Sequence, residues 1–396
     1  MTDASLTTKL NRPYLPTTGN ATEITGRVTI DPGVQLDDPD VQIAVVVDTS
    51  GSMAGDRIET ARDGAKRALG YLDDDDVLTV VGFNSSASVA LEATRFGDAS
   101  RETIEDSIDD LTAGGGTDIH GGLELATEQL RGLDEGENTV RRILLLSDGK
   151  DNIRGPEDFE RQARDIDELG IRIRAGGIGD EYDQETIRTL GSTSRGQWSH
   201  IEEPSEIQEF FGEALTDAET VVGADATIEM DIADGVEFTE VYRAMPQVQE
   251  TEAEYIDSNV AVVKLPDLQE RQKQKVLLKI RVPGQTEEGS LRVADVELEA
   301  GNKSASGSFD VEFTADGDDL AIEHPEVGRE LDETRIRVAA GEGDEEEADD
   351  RMTKFRDKHG DDADVDDLED EVTEVMEGGR AEMDGVTKVK SDDEPV

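Results

Sequence analysis

The chain has 396 residues, with 96 acids against 39 bases, a formal net charge of −57 and no cysteine. That balance disfavours a nucleic-acid partner, which calls for a basic face. The absence of cysteine excludes disulfides, a thiolate nucleophile and Cys-ligated zinc. No stretch approaches the about 20 apolar residues of a membrane span, and Met1 to Pro16 lacks the apolar core of a signal peptide. A soluble, cytoplasmic chain with room for two or three domains is the expectation.

Residues 1–20 are polar, with Pro13 and Pro16, and read as a flexible arm. Residues 22–30 alternate apolar and polar, which predicts a strand, and Asp31-Pro32-Gly33 turns it. From 41 to 215 strands and helices alternate. The pattern predicts a strand at 42–47, a helix from Asp56 to Leu72 and a strand from Val77 to Phe83. Ala87 to Leu91 follows after a short link that suits an antiparallel edge hairpin. A helix from Ser100 to Leu111 comes next, then one containing Leu123 to Leu130, then a strand at Ile143 to Leu146. Pro156 opens a helix, at a position that favours proline. Ile171–Gly177 and Gln197–Ile201 read as strands, Asp183–Leu190 and Pro204–Leu215 as helices. Such alternation predicts a doubly wound, mostly parallel sheet.

Near 218 the pattern changes to short alternating segments: 227–232, 235–241, 259–264, 275–282, 290–299 and 304–313. These predict a β-sandwich. The strand at 22–30 has no partner nearby, so it is expected to join that sandwich, with the α/β domain inserted between the two flanks. Residues 320–380 read as a small helical hairpin. One face carries Val327, Leu331, Thr334 and Val338, the other helix Val365, Leu368, Val372, Val375 and Met376, with an acidic link at 341–350. The expected division is an N-terminal arm and strand (1–40), an α/β domain (41–216), a sandwich (217–316), a helical region (317–380) and a flexible tail (381–396).

The apolar run Ile43 to Val47 ends abruptly in Asp48, followed by Ser50 and Ser52 at alternate positions. Ligands in open α/β sheets bind beyond the carboxyl ends of such strands. One carboxylate and two hydroxyls are hard oxygen donors, suited to magnesium, manganese or calcium. Gly114-Gly115-Gly116-Thr117-Asp118 adds a hydroxyl and a carboxylate after a glycine run. Ile143 to Ser147 is a second apolar strand ending in an acid, Asp148, before Gly149. Three loops could converge at one sheet edge.

This pattern resembles the metal-ion-dependent adhesion site of von Willebrand factor type A domains: Asp-x-Ser-x-Ser, a distant Thr, then a distant Asp before Gly. Asp48, Ser50, Ser52, Thr117 and Asp148 fill the five positions. Val80 to Asn84 and Ala175 to Gly179 also sit where that family has strands. The resemblance implies a Mg2+ site, with Mn2+ or Ca2+ as alternatives. Ser50 and Ser52 would be direct ligands, Asp48 would act directly or through water, Thr117 directly in one state, and Asp148 through water. It implies a non-enzymatic module whose metal binds an Asp or Glu of a partner protein, with movement of the helix at 204–215 in some members. Intracellular members often partner a MoxR-type AAA+ ATPase or a signalling set. The acid excess resembles cytoplasmic proteins of extreme halophiles, in which salt screens the self-repulsion.

The rival reading is a magnesium-dependent phosphohydrolase or phosphotransferase using Asp48. It wants a second acid where Ser50 stands, and a catalytic lysine, for which Lys150 is the nearest offer. A vestigial site in a structural domain is a third reading. Asp362, Asp364 and Asp366 have calcium-loop spacing, but Asp367 and Thr373 stand where glycine and glutamate are needed, so the run reads as a solvated acidic face. His120, His200, His324 and His359 show no metal or triad pairing, and Trp198 reads as packing. Thr387 reads as an ordinary tail threonine.

Overall fold

The computed structural model describes residues 4–34, 39–133, 136, 139–151, 154–179, 182–360 and 363–378. They form two compact units, one of residues 35–224 and one of residues 1–34 with 225–396. The chain opens with β1 (Ser5–Leu10), β2 (Tyr14–Pro16) and β3 (Thr22–Asp31). The α/β unit follows as β4 (Asp40–Asp48), α1 (Asp56–Ala68), β5 (Val77–Phe83), β6 (Ala87–Arg95), α2 (Arg101–Asp109) and α3 (Ile119–Arg131). It continues with β7 (Thr139–Ser147), α4 (Pro156–Glu168), β8 (Ile171–Ile178), α5 (Gln184–Thr193), β9 (Gln197–Ile201), α6 (Ile207–Glu219) and the short β10 (Val221–Gly223).

The α/β sheet has the order β6-β5-β4-β7-β8-β9. All its neighbours are parallel except β6, which runs antiparallel on the edge, as the short link at 84–86 predicts. Every residue of β4 from Val41 to Asp48 is buried, because helices cover both faces of a doubly wound sheet. One face packs Val45, Val47 and Leu144 against Ile58, Ala61 and Ala65 of α1 and Phe210, Phe211 and Leu215 of α6. Helix starts follow local chemistry: Ser100 accepts the Thr103 N–H at 3.1 Å to cap α2, and Pro156 occupies the first turn of α4. The closing helix begins as a 3-10 turn at Pro204–Glu206 before α6.

The second unit adds β11 (Thr227–Ile232), β12 (Glu237–Met245), β13 (Gln249–Thr251), β14 (Glu254–Asp257), β15 (Val260–Lys264) and β16 (Leu268–Gln269). It continues with β17 (Gln274–Val282), β18 (Gly289–Ala300), β19 (Lys303–Thr314), α7 (Gly317–Leu320), α8 (Pro325–Glu342), α9 (Glu345–His359) and α10 (Ala363–Gly378). Two sheets, β1-β3-β17-β12-β13 and β14-β15-β11-β18-β19-β2, make the sandwich. Phe309 of β19 comes so close over Gly26 of β3 that a Cβ there would lie 3.1 Å from its ring. The strand at 22–30 pairs with β17 from Thr22↔Val282 to Ile30↔Gln274. The α/β domain is therefore inserted in the sandwich, which fulfils the predicted fold class.

Two expectations are corrected. The supposed arm contains β1, which pairs with β3 from Ser5↔Asp31 to Leu10↔Gly26, and β2, which pairs parallel with β19. The helical hairpin is instead a cluster of longer helices, because the acidic link opens α9. Asp344 accepts the Glu347 N–H at 3.0 Å. Glu345, Glu346 and Glu347 fill the first turn, and Arg356, Lys358 and His359 the last, which is the distribution that the helix dipole favours. Helix α8 serves two cores. Leu331 and Val338 join Tyr242, Val248 and Leu277, while Ile336, Ala339 and Ala340 join Met352, Phe355, Val365, Leu368 and Val372. The tail at 381–396, with Thr387, lies outside the described residues, as does Asp362.

Candidate metal centre

Three loops at the carboxyl edge of the α/β sheet meet beyond β4 and β7. The first begins at Asp48, the last residue of β4, which is fully buried. Its Oδ1 accepts the Ser50 N–H at 2.7 Å and its Oδ2 accepts the Ser147 hydroxyl at 2.6 Å. Burial pushes its carboxyl up to about 6, against the lowering effect of those two partners. Thr49 ties the loop to β5: its N–H and its Oγ1 both donate to the Phe83 carbonyl, at 2.6 and 2.9 Å. The chain then turns through a 3-10 segment, Gly51–Met53.

The second loop is stitched to the first by backbone bonds. Gly114 N–H donates to the Thr49 carbonyl at 2.7 Å, and Gly51 N–H donates to the Gly115 carbonyl at 3.1 Å. Gly115 has φ +91°, in the region where a side chain is strained, and Gly116 N–H reaches the Ser85 hydroxyl at 2.8 Å. This geometry delivers Thr117, nearly buried, to the site. Asp118 next to it caps α3, accepting the Gly121 N–H at 3.0 Å.

The third loop carries Asp148, whose side chain is fully buried. Its Oδ1 accepts the Ser52 hydroxyl at 2.8 Å, and Ser52 Oγ stands 3.0 Å from Ser50 Oγ. Its Oδ2 is paired with the Arg57 guanidinium. Gly149 closes the cradle: a Cβ there would lie 3.0 Å from Thr117 Oγ1 and 3.5 Å from Asp48 Oδ2. Hydrogen bonds thus link Asp48, Ser50, Ser52 and Asp148 in one network, and Thr117 faces the same glycine as Asp48.

Two further residues belong to this network that the sequence does not single out. Ser147 hides inside the apolar run of β7. Arg57 looks like any charge of a surface helix, although a base in the first turn of α1 opposes the helix dipole, and that is the available signal. Asp151, which the sequence also does not single out, accepts the Ile119 and Arg154 N–H groups at 2.9 and 2.8 Å. His200 Nδ1 is 3.1 Å from the Tyr182 hydroxyl, and Trp198 is buried.

The donor set is all oxygen: two carboxylates and three hydroxyls. Among the described residues no group of three acids or histidines gathers as a cage. The set fits a hard, oxygen-seeking divalent cation and offers nothing to a thiophilic or imidazole-bound metal.

Residues 42–213, less than half of the chain, match the model of the von Willebrand factor type A domain. An uncharacterised protein of Synechocystis sp. is 26% identical over 259 residues, 64% of this chain and 61% of its own. Inter-alpha-trypsin inhibitor heavy chain H4 of Sus scrofa is 26% identical over 215 residues, 49% of this chain and 23% of its own. The chain therefore spans about three fifths of the first relative and under a quarter of the second. Among solved structures, the von Willebrand factor type A protein from Catenulispora acidiphila superposes with a TM-score of 0.79 at 17% identity over 98% of each chain. The ArnB paralog VWA2 from Sulfolobus acidocaldarius gives 0.64 at 15% identity over 97% of each. The α/β unit has the type A fold.

Proposed function

We propose that the α/β unit is a non-enzymatic, divalent-cation-dependent protein-interaction module. Its ion is held by Asp48, Ser50, Ser52, Thr117 and Asp148, and its partner is a protein presenting an Asp or Glu. The observation that carries the reading is the convergence of five oxygen-bearing side chains from three loops at the sheet edge where α/β folds bind ligands. The type A fold supports it, since members are typically modules of this kind.

Ser50 and Ser52 offer neutral hydroxyls, and Asp48 and Asp148 the anionic charge. Thr117 faces Asp48 across Gly149 and completes the set. Magnesium suits these donors because it keeps several waters in an octahedral shell, and manganese and calcium also take oxygen ligands. When bound, the cation supplies an open position for a carboxylate. Such a contact lets a chain of net charge −57 bind an acidic group that its bulk charge repels. The resemblance points to a MoxR-type AAA+ ATPase or a signalling complex as partner, and to the cytoplasm as location. Among the described residues no helix is long and apolar enough to cross a membrane.

The phosphotransferase alternative finds less support in the geometry. Both oxygens of Asp48 are engaged, by Ser50 and Ser147, and the position two residues on holds a hydroxyl rather than an acid.

A pull-down from cell extract at high salt tests the reading, with wild type and Ser50→Ala each in magnesium and in EDTA. The expected result is a partner retained by wild type in magnesium alone. Identical binding in all four conditions would remove the metal from the mechanism.

A further inference from the structure

We propose that Arg57 sets the charge of the metal centre, loosening its hold on the cation and providing a second contact for the incoming carboxylate. The inference rests on the reading of the site given above and assigns a role to a residue outside the five-residue motif.

Arg57 stands between Asp56 and Glu59 in the first turn of α1, where the helix dipole disfavours a cation. Its guanidinium turns into the site and pairs with Asp148 Oδ2. On its other side lies the end of β8: a Cβ on Gly179, which has φ +68°, would be 3.2 Å from Arg57 Nη2. The Asp148 side chain is fully buried, while that of Arg57 is 34% exposed. The arginine therefore bridges the buried acid and the solvent from which a partner arrives.

The formal charges give the consequence. Asp48 and Asp148 contribute two negative charges and Arg57 one positive, so a divalent ion leaves the loaded site at +1. Without Arg57 the same ion leaves it neutral. A guanidinium has five N–H donors in a planar fork matched to carboxylates. It can keep Asp148 and still present donors outward, so one oxygen of an incoming carboxylate meets the ion and the other meets Arg57. The same positive charge repels the divalent ion. Metal affinity and anion affinity therefore move in opposite directions when Arg57 changes.

The test uses the full chain at high KCl, with Mn2+ alone as the first probe and acetate as the second. Mn2+ binding is read by calorimetry, and acetate binding by the fall in water-proton relaxation of the Mn2+-loaded protein. Arg57→Gln is expected to bind Mn2+ roughly tenfold more tightly and acetate roughly tenfold more weakly, as for loss of one partly exposed charge. Arg57→Lys, which keeps the charge but not the fork, should match wild type for Mn2+ and fall between the other two for acetate. Unchanged or weaker Mn2+ binding by Arg57→Gln overturns the proposal, and so does unchanged acetate binding. Ser50→Ala separates this failure from that of the site itself. If it binds Mn2+ like wild type, the metal centre is wrong, whereas if it loses Mn2+ while Arg57→Gln changes nothing, Arg57 alone is misassigned.

Discussion

Asp48 is the residue whose charge is hardest to accommodate, and its burial gives a signed pH effect. A carboxyl raised to about 6 in the fold, from about 3.8–3.9 in an unfolded chain, binds its proton more tightly when folded. Its contribution to stability is fully present at low pH and is lost as pH rises through about 6. Above that window the ionised group costs about 3 kcal/mol, because each tenfold difference in proton affinity between the folded and unfolded chain is worth about 1.4 kcal/mol. Asp48→Asn removes this slope. In EDTA, the melting temperature of the variant relative to wild type should rise between pH 4.5 and 7.5, and magnesium should stabilise wild type more at pH 7.5 than at pH 5. A constant difference across that range would show that the buried carboxylate carries no such penalty. Of the five candidate residues, Asp48 and Asp148 stood out as acids at the ends of apolar strands, Ser50 and Ser52 by their alternation after Asp48, and Thr117 by the glycine run before it. Ser147 and Arg57 did not, since their roles depend on which way their side chains turn after the sheet has formed.

At the scale of elements, legibility followed the amount of apolar patterning. The strands β4 and β7, buried along most of their length, announce themselves, and the orphan alternation at 22–30 implied a partner sheet, found in β17. Strand β1 buries only Leu6 and Leu10, too few to mark it, and it is held by its pairing with β3. Helix α9 buries Ala348, Met352 and Phe355, a stripe that the surrounding acids mask in the sequence. That thin stripe predicts sensitivity. Phe355 packs with Ile336, Met352 and Leu368, so Phe355→Ala should cost about 3–5 kcal/mol, and Asp344→Ala, at the cap, about 1 kcal/mol. Both are read as losses of helical signal on thermal or urea melting. Equal, negligible losses would mean that α9 is not anchored through this core. A third element-level expectation concerns the loop after β7. Gly149→Ala presses on Thr117 Oγ1 and should weaken Mn2+ binding in calorimetry with little change in melting temperature.

At the scale of the molecule, the insertion of one unit into another was readable because a lone strand upstream needed a sheet that only the downstream flank could offer. The net charge of −57 acts on the same scale. Some pairs are buried and weakly screened, as where Asp167 holds Arg172 at 3.0 Å and Arg195 at 2.7 Å. Others are exposed, such as Arg101–Glu105 at 2.8 Å, and are worth little individually. Salt weakens these exposed attractions and the general repulsion together, but with 96 acids and 39 bases repulsion acts between many more pairs. Screening length falls from about 10 Å at 0.1 M to about 3 Å at 1 M, so most of the relief arrives below 1 M. The melting temperature in EDTA should therefore climb steeply with KCl up to roughly 1 M and flatten beyond it. A melting temperature independent of KCl would show that self-repulsion does not limit this fold, and that ion pairs compensate the acid excess far better than their exposure suggests.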